Sequence, residues 1–278
     1  MEDLRLGRSL ALFALLLLCE LLIFVAPLFL QGTIKAIAQV CIAVVFLLFA
    51  WWMRIREPRS NHFYVVFAFF IGAFVTLMES LLTLSGLVSS SSVAGGLFWQ
   101  ISATVVIIIP IVLLTRISGT NMGGIYLQRG RIGSGLLIGL STFLFMMILT
   151  LVDPTGASML FSIRDDITHA EVLSLMPIVV TFVLLNGLKE ELWFRGIFLK
   201  KLAVLLGAWP SNILTAFVFS LAHVGVTYTP VLLVFLGISF LLGLAWGYVM
   251  QKTNSVVGSA LFHGAMDIPV ILGIFSFM

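Results

Sequence analysis

Residues 174–201 read SLMPIVVTFVLLNGLKEELWFRGIFLKK. The first half is apolar enough for the interior of a bilayer, yet the run continues into Glu190, Glu191 and Arg195. Along such a run in lipid, a helix satisfies its own backbone polar groups. Charged side chains at that depth are costly and rare, and they default to a functional reading. Two later segments repeat the pattern: His223 in FVFSLAH, and His263 with Asp267 in FHGAMD.

Outward from this stretch the chain stays apolar. It is 61% hydrophobic and 10% charged over 278 residues, where soluble domains average about 25% charged. Runs of about 20 apolar residues, long enough to cross about 30 Å of hydrocarbon, predict spans near 9–30, 33–53, 62–84, 97–115, 132–152, 174–199, 211–228, 230–251 and 255–277. The predicted fold is an all-α polytopic transmembrane helical bundle of about eight or nine spans. Gly135 with Gly139, and Gly243 with Gly247, would let helices approach closely. The apolar stretch after Arg5 and Arg8 is too long for a signal peptide and lacks a small-residue cleavage site, so it reads as a retained helix.

The net charge of +3 does not imply nucleic acid. Lys and Arg fall in alternate loops: Arg54, Arg56 and Arg59; Arg116, Arg129 and Arg131; Lys200 and Lys201; Lys252. The intervening loops hold little beyond Lys35 and Arg164. That alternation sets orientation and predicts a multi-pass cell-membrane protein with a cytoplasmic N-terminus. Cys19 and Cys41 lie in apolar helices and read as packing residues. The stretch 86–96 reads as an uncharged outer loop, and 153–173 suits either a segment at the outer interface or an ordinary loop. The glycine-broken stretch 119–131 divides an N-terminal four-span region, 1–131, from a C-terminal membrane region, 132–278.

Counting at 1.5 Å per residue brings the polar islands to one level. Glu190 lies about 15 Å before Lys200 and Lys201, and His263 about 16 Å past Lys252. From the break at Gly207–Pro210, Glu190 is about 27 Å back and His223 about 21 Å on. The count places all three nearer the cytoplasmic face and predicts a cavity opening there. At 100° per residue Arg195 shares an azimuth with Glu191, giving an intrahelical ion pair, while Glu190 faces elsewhere with Asn186 one turn before it. His263 and Asp267 share a face. A carboxylate beside a histidine can take a proton from water, and no Ser or Cys sits in a nucleophile motif, so the expected reaction is hydrolysis by activated water. Glu20 and Glu79 read as packing or interfacial groups, and His62 and His169 as solvated.

At these residues the chain resembles the CAAX prenyl protease and bacteriocin-processing family, also called the Abi family of intramembrane proteases. Its motifs EExxxR, FxxxH and HxxxN or HxxxD correspond to Glu190-Glu191-Leu-Trp-Phe-Arg195, Phe219-Ser-Leu-Ala-His223 and His263-Gly-Ala-Met-Asp267. The resemblance covers about 174–270. It implies an endopeptidase acting on a membrane-associated peptide or protein. Glu190 would activate water with His223, His263 and its partner would stabilise the oxyanion, and Glu191 with Arg195 would hold the site together. Asp267 departs from the asparagine of eukaryotic-type members, and an ionised aspartate cannot donate to an oxyanion. No cofactor is expected. The alternatives are a zinc-dependent protease with Glu190, His223, His263 and Asp267 as ligands, or a non-catalytic immunity or scaffold membrane protein.

Overall fold

In the computed structural model the chain is all-helical, with no strand among the described residues. The structure describes residues 2–88, 91–158 and 160–278. Ser89 and Ser90 of the outer loop, Met159 of the 153–173 segment and the side chains of Arg5 and Arg8 lie outside the described residues. The helices are α1 (Glu2–Phe24), α2 (Gly32–Arg56), α3 (Asn61–Ser85), α4 (Val93–Ile117), α5 (Ile132–Val152), α6 (His169–Glu190), α7 (Leu199–Leu206), α8 (Ala208–Ala222), α9 (Leu232–Thr253) and α10 (Val256–Ser276). Among the described residues seven helices are long and apolar enough to cross a membrane, and Ser9–Phe24 and Ala208–Ala222 are shorter apolar helices. The protein is an integral membrane protein.

Local chemistry sets the ends. Ser60 caps α3 by accepting from the Phe63 amide, and Gly86 closes it at φ 63°, a left-handed conformation open to glycine. Thr168 and Glu171 form a capping box at the start of α6. Two predicted spans are shorter than expected. The 9–30 span stops at Phe24, where Pro27 turns the chain into a 3-10 turn, Ala26–Phe29. The 211–228 span stops at Ala222, because Gly225 and Pro230 cannot extend a helix and residues 223–231 form a loop.

α3 and α10 are the central helices: 67% of the spanning window of each is buried, against 22–33% for the other spans. Most of the exposed Leu, Ile, Val and Phe lies on those outer helices, as lipid-facing surface requires. Two apolar clusters fill the bundle. The larger combines residues of α1–α3 with Leu192, Phe198 and Val256; the smaller joins α5, α6 and α10 with Ile163 and Ile167. Phe198 packs against Phe24 and Phe69, so residues before and after 131 share one core. α10 gives Ala260 to the first cluster and Ala265 to the second, while α6 gives Val183 to the second and Leu192 follows it in the first. His263 and the two glutamates stand at that seam.

Candidate active site

Backbone contact brings the motif helices together. A Cβ on Gly264 would sit 2.7 Å from the Val183 carbonyl oxygen, and one on Gly187 would meet the Ala260 carbonyl and lie 2.9 Å from the Gly264 nitrogen. α6 and α10 therefore touch backbone to backbone, one turn from Glu190, Glu191 and His263. Gly243 on α9 leaves room for the Arg195 side chain: a Cβ there would lie 2.9 Å from Arg195 Nη2.

The first motif is not in regular α-helix. Glu190 ends α6, and Glu191–Gly196 form a π-helical turn, with the Ile197 amide donating to the Leu192 carbonyl. Such widened turns occur often at functional sites. Glu191 and Arg195 face one another within this turn, with Arg195 Nη1 2.5 Å from Glu191 Oε1 and both side chains fully buried. Arg195 also donates to the Gly243 carbonyl at 3.3 Å. Its guanidinium lies over the rings of Phe219 and Trp246, 4.6 and 5.3 Å from their centroids. Buried charge is tolerated where pairing and hydrogen bonds replace water, and aromatic faces add to that.

Glu191 is the hub of the site. Its second oxygen accepts from Ser259 Oγ, and Oε1 lies 2.9 Å from His263 Nδ1. The His263 ring stacks on Trp246 at 3.9 Å and 3°. The other nitrogen, Nε2, lies 3.5 Å from Glu190 Oε2 and 3.6 Å from Asp267 Oδ2, and Asn186 Nδ2 donates to Asp267 Oδ2 at 2.9 Å. His223 caps α8: its Nδ1 lies 2.8 Å from the Phe219 carbonyl. A carbonyl only accepts, so Nδ1 carries the proton and Nε2 is left free.

All of Glu190, His223, His263 and Asp267 line one cavity of about 590 Å³. Its walls are largely apolar, with Met146, Leu149, Phe161, Phe235 and Leu242 among them. Glu191 and Arg195 lie behind it. Asp153, Pro154, Gly156, Ala157, Leu160, Phe161 and Tyr228 are in its lining, and none of 118–131, 200–209 or 251–255 is. Burial raises the Tyr228 phenol, and the Glu190 and Asp267 carboxylates raise it further, so it stays protonated.

The cavity extends toward the end opposite Lys200, Lys201 and Lys252, where Asp153, Pro154 and Tyr228 line it. The amines of Lys200 and Lys201 donate to the carbonyls of Gly123 and Gly124 in the loop between α4 and α5. The run 169–206 is 38 residues long, about 57 Å if straight, so Glu190 sits near its middle. The 160–168 stretch lies beside Tyr228 and the start of α6. There the Ser162 amide donates to the Tyr228 carbonyl, and Arg164 Nη2 meets Glu171 at 2.5 Å.

Three residues escaped the sequence reading. Glu79, read as a packing group, lines the cavity. Lys189 is buried, donates to Gln100 Oε1 at 3.2 Å and lies over the Trp99 ring; its position beside Glu190 at membrane depth was the available signal. Gln100 had none. No group of three or more His, Cys, Asp or Glu side chains among the described residues is arranged to hold a metal ion.

Two motif histidines and two motif acids, Glu190 and Asp267, thus line one cavity, with a third motif acid, Glu191, behind it. Residues 172–269, which carry all six motif residues, match the family model described as Rce1-like, type II CAAX prenyl endopeptidase. This stretch is therefore similar to the family that its three motifs resemble; residues 1–171 lie outside the match. Neither the curated proteins nor the solved structures gave a match to the chain.

Proposed function

We propose that this protein is an intramembrane endopeptidase that cleaves a membrane-associated protein or peptide through a water activated by Glu190. The observation that carries this reading is the meeting of Glu190, His223, His263 and Asp267 in one apolar-walled cavity within a membrane bundle. In the reaction, the water oxygen bonds to the scissile carbonyl carbon while its proton passes to Glu190. The free Nε2 of His223 orients that water. His263, held through Nδ1 by Glu191, donates from Nε2 to the carbonyl oxygen as charge develops there. Glu190 then returns the proton to the leaving amine as the C–N bond breaks. Asp267, anchored by Asn186, faces Nε2 and holds the doubly protonated ring in place. A general base contributes about 10²–10⁴-fold and one oxyanion donor about 10²–10³-fold.

Zinc needs three or four N, O or S donors at about 2.0–2.3 Å. Among the described residues no group of three or more His, Cys, Asp or Glu side chains is arranged to hold such an ion, and no step is routed through a metal. The end rich in Arg and Lys would face the cytoplasm, so the cavity would admit its substrate from the extracytoplasmic face. Its apolar walls suit an apolar peptide segment or a lipid-attached one.

Comparative membrane proteomics of wild type against Glu190→Gln tests the reading. At least one membrane precursor is expected to accumulate in the variant while its processed form disappears. Identical peptide profiles with normal amounts of the variant in the membrane would overturn it and leave a non-catalytic immunity or scaffold role.

A further inference from the structure

A second cavity, of about 170 Å³, also ends at Glu190 and His223. It lies between α1, α2 and α3, which are outside the family match, and Trp193 and Phe194 of the π-helical turn with the end of α8, which are inside it. Pro27, Leu28 and Lys35 line its outer part. Its wall is mixed, with a larger polar share than that of the large cavity: Gln39 on α2, with Thr76, Glu79 and Ser80 on one face of α3, stand opposite Phe24, Trp193 and Phe194, and Glu79 lines both cavities.

The arrangement of α2 is telling. Val40 and Val44 are 44% and 45% exposed, as on a lipid-facing helix, but Gln39 is turned inward at 2%. Its Nε2 donates to Ser80 Oγ at 2.9 Å. Its Oε1 is buried and has no hydrogen-bond partner among the described residues. A hydrogen bond between Gln39 and Ser80 could by itself be helix-joining, but it explains neither the open amide oxygen nor a cavity that continues to Glu190. Buried water occupies sites that are polar and roomy, at about 30 Å³ per molecule, and bonds groups otherwise unsatisfied. This cavity meets both conditions.

We infer that the second cavity is the entry route for the hydrolytic water, separate from the cavity that takes the peptide. The inference rests on the protease reading above. Each cleavage consumes one water, and a peptide filling the large cavity closes that path to solvent. A polar path reaching Glu190 and His223 from the side of α1–α3 resupplies them while the peptide is bound. It also gives the N-terminal helices a part in the chemistry: Gln39 and Ser80 position water and do not touch substrate.

The test reads water directly. In membranes carrying the full chain with Cys19 and Cys41 replaced, single cysteines are placed at Gln39, Thr76 and Ser80, and at the lipid-facing Val40 and Val44. The probe is sulfonatoethyl methanethiosulfonate, which reacts with the thiolate, a form that requires water. Cysteines at Gln39, Thr76 and Ser80 are expected to react about ten-fold faster than the controls or more, and Leu28→Trp at the mouth is expected to slow them. Rates no faster than the controls at all of these positions that yield folded protein would overturn the route. Repeating the measurement with Glu190→Gln scores the route independently of cleavage. Fast labelling with no change in processing on Glu190→Gln would sink the protease reading and, with it, the catalytic role of the water, whereas slow labelling with lost processing would sink the route alone.

Discussion

His263 is tied to Glu191 by a 2.9 Å hydrogen bond from Nδ1 to Oε1, and the same oxygen receives Arg195 at 2.5 Å. The second glutamate of the motif therefore connects all of its other parts: it neutralises the guanidinium and fixes the ring whose far nitrogen faces Glu190.

Removing one partner of the Glu191–Arg195 pair strands a fully buried charge, and Glu191→Gln or Arg195→Met alone should destabilise by about 3–5 kcal/mol. The double variant is expected to recover most of that loss in thermal melts. It should not recover processing, since His263 has lost its ionised acceptor. A double variant less stable than the sum of the singles would show that the pair is not the unit.

Asp267 accepts from Asn186 and faces His263 Nε2. Asp267→Asn keeps an acceptor for Asn186 and shape for the ring, and is expected to retain processing within about ten-fold, whereas Asp267→Leu should lose about 10²-fold or more. Equal loss in the two variants, measured as precursor-to-product ratio, would mean that the negative charge itself is required.

Gly264→Ala puts a methyl group 2.7 Å from the Val183 carbonyl oxygen. Overpacking of this kind costs about 1–3 kcal/mol, and it should part α6 from α10 enough to lower processing without touching a polar group. A stable and fully active Gly264→Ala protein would contradict the backbone contact.

Purified protein is expected to hold no stoichiometric zinc by elemental analysis, and processing should survive chelator. Bound zinc, with activity lost to chelator and restored by the ion, would replace the glutamate-and-water mechanism with a metal-dependent one.

Orientation is tested with an impermeant thiol reagent outside intact cells, again with Cys19 and Cys41 replaced. Cysteines at Leu87 and Asp166 should label, and those at Arg56 and Lys252 should not. The reverse pattern would turn the cavity mouth toward the cytoplasm.

Much was legible from the chain alone because lipid imposes harsh constraints. Apolar runs of spanning length had to be helices, and each charge within such a run demanded a reason. So Glu190, Glu191, Arg195, His223, His263 and Asp267 stand out in one dimension, and four of them meet in one cavity. Three-dimensional packing decided the rest. The π-turn at Glu191–Gly196, the Gly187–Gly264 crossing and the inward turn of Gln39 depend on which helices touch, which no periodicity records.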